Sequence, residues 1–293
     1  MINLCRAQWE EYELIDSGNF EKLERFGDYI LIRPEPQALW QPKFSCKEWI
    51  LQADAHFTRE HKDNARTDEE PKGGWKKLKS MPESWTVNYK IEHQNFVFRL
   101  ALTGFGHVGI FPEQGNNWEF IWRHLKKNKD GNVLNLFAYT GAASLVARQA
   151  GAQVTHVDAS RPGLNWANQN RQLNRLDNIR WVHEDVIKFV RREVKRQRRY
   201  SGIIMDPPPY GRGPEGEKWV LQDTLDELVA LSRQLLAENS FLVLSMYAAG
   251  LSAVTGFNVV KHHFPDKKLE YGEFYLPGAH KTHLPMGTFV RFG

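Results

Sequence analysis

Between residues 131 and 246 short apolar runs alternate with amphipathic stretches of helical period. "NVLNLF" (132–137), "QVTHVD" (153–158), "IRWVHED" (179–185), "GIIMD" (202–206) and "FLVLSM" (241–246) read as five strands. Between them lie four helical patterns: "AASLVARQAG" (142–151), which stops at Gly151, a stretch over roughly 161–173, a basic stretch after 185, and "TLDELVALSRQLLAE" (224–238). Such alternation predicts a parallel sheet covered by helices on both faces. The pattern then changes. "FNVVKHHFP" (257–265), "EYGEFYL" (270–276) and "TFVRFG" (288–293) read as strands with no long helix before the last, so the sheet is expected to close with an antiparallel hairpin. Residues 1–114 follow another rule and read as a small β-rich region, set apart from a core domain over 115–293. In it "SWTVNYKI" (84–91), "NFVFRLAL" (95–102) and "HVGIF" (107–111) suggest a β meander, and the polar stretch 54–80 reads as a long exposed loop.

Composition narrows the class without choosing a function. An apolar content of 41% with 25% charged residues is that of a globular chain, and no run of about 18 apolar residues marks a membrane span. Two cysteines, Cys5 and Cys46, exclude a disulfide framework and a cysteine-rich zinc site. The first residues lack the apolar core of a signal peptide, and a cytoplasmic protein is expected. The net charge of +4 matters less than its distribution. "KFVRREVKRQRR" (188–199) sets Lys188, Arg191, Arg192, Lys195, Arg196, Arg198 and Arg199 against one glutamate. It reads either as a solvated helix face or as a patch that contacts phosphates.

In an open parallel sheet, ligands bind beyond the carboxyl ends of the strands. After the first core strand comes "NLFAYTGAAS" (135–144), where Gly141 lets the backbone approach a ligand and opens a helix with free N–H groups. The second strand ends on Asp158, 17 residues after Gly141, where a carboxylate can accept from both hydroxyls of a ribose. The third ends on Glu184-Asp185, placed to accept from an adenine amino group, or simply to cap the next helix. The fourth runs into "MDPPPYG" (205–211), where consecutive prolines fix a corner that carries Asp206 and Tyr210. The ordered set points to a nucleoside-binding enzyme. "FAYTGAA" has one glycine where a dinucleotide site needs G-x-G-x-x-G, which weighs against a nicotinamide-dependent oxidoreductase. A non-catalytic RNA-binding protein is the remaining alternative. The histidines His262, His263, His280 and His283 have no cysteine partners and no metal is expected; "GRGPEGEKW" (211–219) reads as a flexible lid.

"VLNLFAYTGAASLVARQAGAQVTHVDASRPGLNWANQNRQLN" (133–174) resembles the cofactor core of class I S-adenosylmethionine-dependent methyltransferases. More narrowly, "NLFAYTG", "HVDAS" and the Asp-Pro-Pro-x-aromatic turn resemble the bacterial branch related to the large-subunit ribosomal RNA methyltransferases. "GIFPEQGNNW" (109–118) and, more weakly, "RPEPQALW" (33–40) are similar to further elements of that branch, and the resemblance covers roughly residues 105–250. It implies an α/β fold: a Rossmann-like seven-stranded methyltransferase sheet with a terminal antiparallel hairpin, plus the small N-terminal β-rich region. Where the general class carries an acid and three glycines, this chain has Asn135, Phe137, Tyr139 and Gly141, which agrees with the narrower branch. No N-terminal RNA-binding module of the kind some members carry is visible in residues 1–100.

The resemblance also implies roles. Tyr139, Thr140 and Gly141 would wrap the methionine part of the cofactor, Asp158 would hold the ribose and Asp185 the adenine amino group, with Asn135, Phe137, Ala138, Ala159, Ser160 and Val186 completing that site. Asp206, Pro207, Pro208 and Tyr210 would form the rim where the methyl group meets its acceptor. RNA, ribosomal RNA first, is the expected acceptor, with a protein or small metabolite as the alternative. Attack through carbon 5 of a pyrimidine needs a thiolate, and neither "DPPPYGRG" (206–213) nor "LSMYAAG" (244–250) holds a cysteine. A base nitrogen is therefore the expected target.

Overall fold

The computed structural model describes residues 3–5, 9–59, 73–127, 131–247, 250–278 and 281–293. They fall into two compact units, one made of Met1–Cys5, Asn116–Phe274 and Met286–Gly293, the other of Arg6–Gly115 and Tyr275–Pro285. The chain opens with the short strand β1 (Asn3–Cys5), which belongs to the first of these.

The second unit is built on β2 (Tyr12–Gly18), β3 (Glu21–Phe26) and β4 (Tyr29–Pro34), followed by α1 (Cys46–Gln52), β5 (Ala55–Arg59) and β6 (Gly73–Lys77). The strands form one sheet in the order β2-β3-β4-β5-β6, and α1 starts on a reciprocal cap between Ser45 and Glu48. β7 (Ser84–Ile91) and β8 (Gln94–Ala101) make a separate hairpin. Two expectations change here. The stretch 54–80 is not one loop: β5 and β6 pair antiparallel across it, with 60–72 outside the described residues. Residues 107–111 are no third strand; they fold back on β8 through Ala101 and Thr103 and lead into a short turn at Pro112–Gln114.

This sheet buries an apolar cluster around Leu23, Ile32 and Trp49 and, through Lys22, Glu24 and Arg33, an ionic one. Glu24 is fully buried and takes hydrogen bonds from the Tyr12 hydroxyl (2.7 Å) and the Arg33 guanidinium (2.7 Å), while Lys22 pairs with Glu35 at 3.2 Å. Glu113 is also fully buried, but neither of its carboxyl oxygens has a hydrogen-bond partner. Burial pushes its pKa up to about 7, against the pull of the Lys22 cation. The folded state therefore binds this proton more tightly than the unfolded chain, and stability falls as pH rises from about 4.5 to beyond 7. The loss is on the order of 3 kcal/mol at mildly alkaline pH. Glu113→Gln is expected to melt several degrees above wild type at pH 8 and to match it near pH 4; parallel melting curves at the two pH values check this.

In the first unit α2 (Gly115–Lys127) leads into the alternation β9 (Asn132–Leu136), α3 (Ala142–Gln149), β10 (Gln153–Asp158), α4 (Arg161–Leu173), β11 (Ile179–His183), α5 (Val186–Lys195) and β12 (Tyr200–Met205). The hairpin β13 (Tyr210–Arg212) and β14 (Lys218–Val220) precedes α6 (Leu221–Leu235), β15 (Leu236–Met246), α7 (Ala253–His263), β16 (Glu270–Pro277) and β17 (His283–Phe292). The sheet order is β11-β10-β9-β12-β15-β17-β16, the expected seven strands, and β1 adds an eighth beside β16. β9 through β12 and β15 are mutually parallel, and β17 runs antiparallel to β15. Leu134, Leu136, Ile203, Met205, Leu242 and Leu244 supply the buried strand faces, against Phe189 of α5 and Leu228 of α6.

"FNVVKHHFP" is not a strand, because α7 covers most of it: Ala253, Gly256 and Val260 turn inward at helical spacing behind a Ser252 N-cap. The segment 211–219 is largely the β13–β14 hairpin rather than an irregular loop. No helix among the described residues is long and apolar enough to cross a membrane.

Candidate active site

The chain leaves β9 toward β10 and β11 on one side and returns through β12 and β15 on the other, so the order reverses at β9. A crevice outside the carboxyl ends is expected at such a reversal. The predicted site residues come from the ends of β9, β10, β11 and β12.

The turn after β9 has an unusual backbone. Phe137 (φ 55°), Tyr139 (φ 47°) and Gly141 (φ 87°) are all left-handed, although two of them are aromatic. The general class carries glycine at these positions, and here two of the three left-handed residues carry side chains. Gly141 has a second reason to be glycine, since a Cβ there would come within 3.0 Å of Ala167. The turn is held from below and from the side. Asp158 accepts from the Tyr139 N–H (2.7 Å) and the Ser160 N–H (2.7 Å), and Asn170 donates to the Thr140 carbonyl at 2.9 Å. Beneath it the Asn135 amide donates to Ser144 Oγ at 2.9 Å, which lies 3.0 Å from His156 Nδ1. Burial lowers the His156 pKa to about 3, so this buried polar chain is neutral.

Asp158 is 8% exposed, and burial raises its pKa against the lowering effect of those two N–H donors. Each carboxylate oxygen has acceptor capacity left after one such bond. Ala159 and Ser160 follow at the start of α4, where Ser160 caps the helix by accepting from Gly163 N–H at 3.1 Å. Asp185 caps α5, accepting from Lys188 N–H at 2.9 Å, and Val186 is buried beside it. The capping reading of Asp185 thus holds, and its second oxygen remains for an amino group.

Beyond β12, the Asp206 N–H extends the ladder to the Leu136 carbonyl. Pro207 is buried, and Tyr210 starts β13. The corner is tied down by a residue that sequence reading left inside a lid, Trp219. Its indole N–H donates to the Pro208 carbonyl at 2.7 Å, its ring packs on Phe137 with centroids 4.6 Å apart, and the Leu221 N–H donates to the Pro209 carbonyl at 3.0 Å. A lone tryptophan closing a glycine-rich segment was the only available signal.

Part of the basic stretch is neutralised. Lys188 pairs with Glu215 (2.5 Å) and Glu217, Arg191 with Glu227 (2.5 Å) and Arg192 with Glu184. Along α5 the cations Lys188, Arg191 and Arg192 thus form an ion-paired face. No group of three or more potential metal ligands occurs among the described residues.

A family model described as S-adenosylmethionine-dependent methyltransferase matches residues 66–247. The chain belongs to the S-adenosylmethionine-dependent methyltransferase family. A solved family structure, the SAM-dependent methyltransferase from Agrobacterium tumefaciens, is 36% identical, with a TM-score of 0.88 over 99% of this chain and 93% of that one. A Streptococcus mutans structure described as a SAM-dependent methyltransferase shares the fold at 18% identity, with a TM-score of 0.70 over 97% of this chain and 75% of that one. Among curated proteins, the ribosomal RNA large subunit methyltransferase K/L of Shewanella frigidimarina is 28% identical over 81% of this chain, and that of Shewanella oneidensis 29% over 94%. The chain spans only 35% and 40% of the length of those two relatives. The donor set suits the family's cofactor: the Asp158 and Asp185 carboxylates stand at or just beyond the ends of β10 and β11, each with an acceptor position for a hydroxyl or amine.

Proposed function

We propose that this chain transfers a methyl group from S-adenosylmethionine to a nitrogen of an RNA base, with large-subunit ribosomal RNA as the acceptor. When bound, the cofactor supplies a methyl group on a cationic sulfur that leaves as a neutral thioether. The protein's part is alignment. Asp158 and Asp185 would hold the nucleoside end, and the Tyr139–Gly141 turn the amino-acid end. The carbonyls of Pro208 and Pro209 are tied by Trp219 and Leu221, which fixes the corner, and in this reading Asp206 and the Pro207 carbonyl would accept from the amine of the acceptor base. A hydrogen bond from the attacking amine to either one turns its lone pair toward the methyl carbon. In this reading Asp206 would also take the proton that the nitrogen sheds after transfer. Tyr210 offers a face on which a planar base can stack.

The observation that carries this reading is the rigid Asp206–Tyr210 corner, fixed by three prolines and two hydrogen bonds, beside a nucleoside-type site. Its assignment to ribosomal RNA draws on what the Shewanella relatives are named for. The nitrogen assignment draws on the cysteines. Cys46 lies exposed at the start of α1, in the other unit, and no thiol stands on the corner. The double variant Cys5→Ala/Cys46→Ala is expected to keep full methyl transfer to large-subunit ribosomal RNA. Loss of transfer in a folded, cofactor-binding double variant would overturn the nitrogen reading. Nucleoside mass spectrometry of the labelled RNA identifies the methylated base.

A further inference from the structure

The opposite end of the same sheet carries a feature that the reaction does not use. At the amino ends of β9, β10, β11 and β12, marked by Asn132, Gln153, Arg180 and Tyr200, the surface sinks into a groove of about 1250 Å³. Five arginines line it: Arg148, Arg180, Arg196, Arg198 and Arg199. Among its described lining residues Glu193 is the only acid, and that carboxylate is buried, bonded to the Tyr200 hydroxyl at 2.8 Å and to Arg196 at 3.2 Å. The remaining four guanidinium groups face no lining carboxylate.

Three of them are nonetheless held in place. Arg148 donates to the carbonyls of Asp177 (2.7 Å) and Ala152 (3.2 Å), Arg199 donates to the Gln234 carbonyl, and Arg180 lies over the Phe189 ring at 5.9 Å. Carbonyl and ring contacts orient a guanidinium without cancelling its charge. The contrast with Lys188, Arg191 and Arg192 of α5 is direct, since those cations each meet a glutamate. Arg196, Arg198 and Arg199 follow at or beyond the end of α5 and turn to the groove instead. Fixed guanidinium forks match the paired oxygens of phosphodiesters better than they match a single carboxylate.

We propose that this groove is a second RNA-docking surface, which grips the phosphate backbone of the acceptor RNA remote from the methylated base. The inference rests on the RNA-methyltransferase reading above. Strands of five to six residues set the groove roughly 17–20 Å from the carboxyl-end site, by their rise of about 3.3 Å per residue. A folded RNA can span that distance, and a small metabolite cannot. The surface is sequence-blind: it adds affinity and orientation, and base choice stays with the Asp206 corner.

The test uses the double variant Arg180→Gln/Arg198→Gln, whose side chains make no ion pair that the change would break. Binding of protein-free bacterial large-subunit ribosomal RNA is measured against salt concentration, together with methyl transfer and S-adenosylmethionine affinity. The expected result is RNA affinity about 10- to 100-fold weaker at low salt, and a slope of log K against log salt shallower by roughly 1.4–1.8, for two lost phosphate contacts. KM for RNA should rise while kcat and cofactor affinity stay at wild-type values. If the wild type binds and methylates the RNA and the variant does so equally well with the same salt slope, the groove inference fails alone. If the wild type binds RNA with the expected variant effect but transfers no methyl group, the docking surface stands and the RNA-methyltransferase reading fails. A wild type that binds polyglutamate but not RNA overturns both.

Discussion

Replacing Asp158 with alanine is expected to weaken S-adenosylmethionine binding by at least about 100-fold. The proposal gives this carboxylate two ribose hydroxyls, and hydrogen bonds to a charged acceptor contribute about 1.5–3 kcal/mol each. A second effect adds to the first, since Asp158 also fixes the turn through the Tyr139 and Ser160 N–H groups. Asp158→Asn separates the two. It keeps shape and one acceptor oxygen but presents an NH₂ to one of those N–H donors, so the turn loosens while part of the ribose contact remains. Titration calorimetry on the three proteins should rank them wild type, Asn, Ala; equal affinity in the alanine variant would sink the ribose assignment. The raised pKa of Asp158 adds a pH dependence. The charged form is the better acceptor, so affinity should fall as pH is lowered through a midpoint above the usual carboxylate range. In Asp158→Ala that fall should vanish.

The core was legible because its two periods are clean. Parallel strands buried on both faces give continuous apolar runs, and the helices between them give a regular apolar stripe. Once the alternation was read, the strand ends followed, and with them Asp158, Asp185 and Asp206. Legibility failed where burial and hydrophobicity part company. In β2–β4 the buried positions include Lys22, Glu24 and Arg33, which pair with one another, and Asp16, which accepts from the Lys43, Phe44 and Trp49 N–H groups, so the alternation of apolar and polar residues is broken. In α7 the adjacent Val259 and Val260 favour a strand locally, but the helix wins because only one face of it meets the sheet. β6 is half-exposed or exposed throughout, and without a buried face it has no pattern to read. The basic stretch stayed open between two readings for another reason: the glutamate partners of Lys188, Arg191 and Arg192 lie at 184, 215, 217 and 227, and pairing of that kind is decided by tertiary structure. Trp219 and the Ser144–His156 pair belong to the same category. Nothing in their neighbours in sequence says what they touch.

Trp219 is the residue whose replacement should separate cofactor binding from catalysis. It meets the β9–α3 turn, proposed to hold the cofactor, through Phe137 and the proline corner, proposed to meet the acceptor, through the Pro208 carbonyl, so it sets the one against the other. Trp219→Phe keeps a ring against Phe137 but removes the indole N–H, and the Pro208 carbonyl loses its donor. A misplacement of about 1 Å between reacting groups costs about 100-fold in rate. The expected result is therefore S-adenosylmethionine affinity close to wild type, with kcat for methyl transfer to RNA lowered about 10- to 100-fold and a loss of stability of about 1–3 kcal/mol from the unsatisfied carbonyl. Trp219→Ala removes the ring as well. It should cost about 3–5 kcal/mol of stability by opening a cavity, and cofactor affinity should then fall with kcat, because Phe137 loses the packing that holds its left-handed backbone. A purely structural tryptophan would instead lower kcat and cofactor affinity together in both variants, each in proportion to the stability lost. Wild-type kcat in the phenylalanine variant would show that the Pro208 carbonyl needs no anchor, and the alignment of the proline corner would have to come from the prolines and the Leu221 N–H alone.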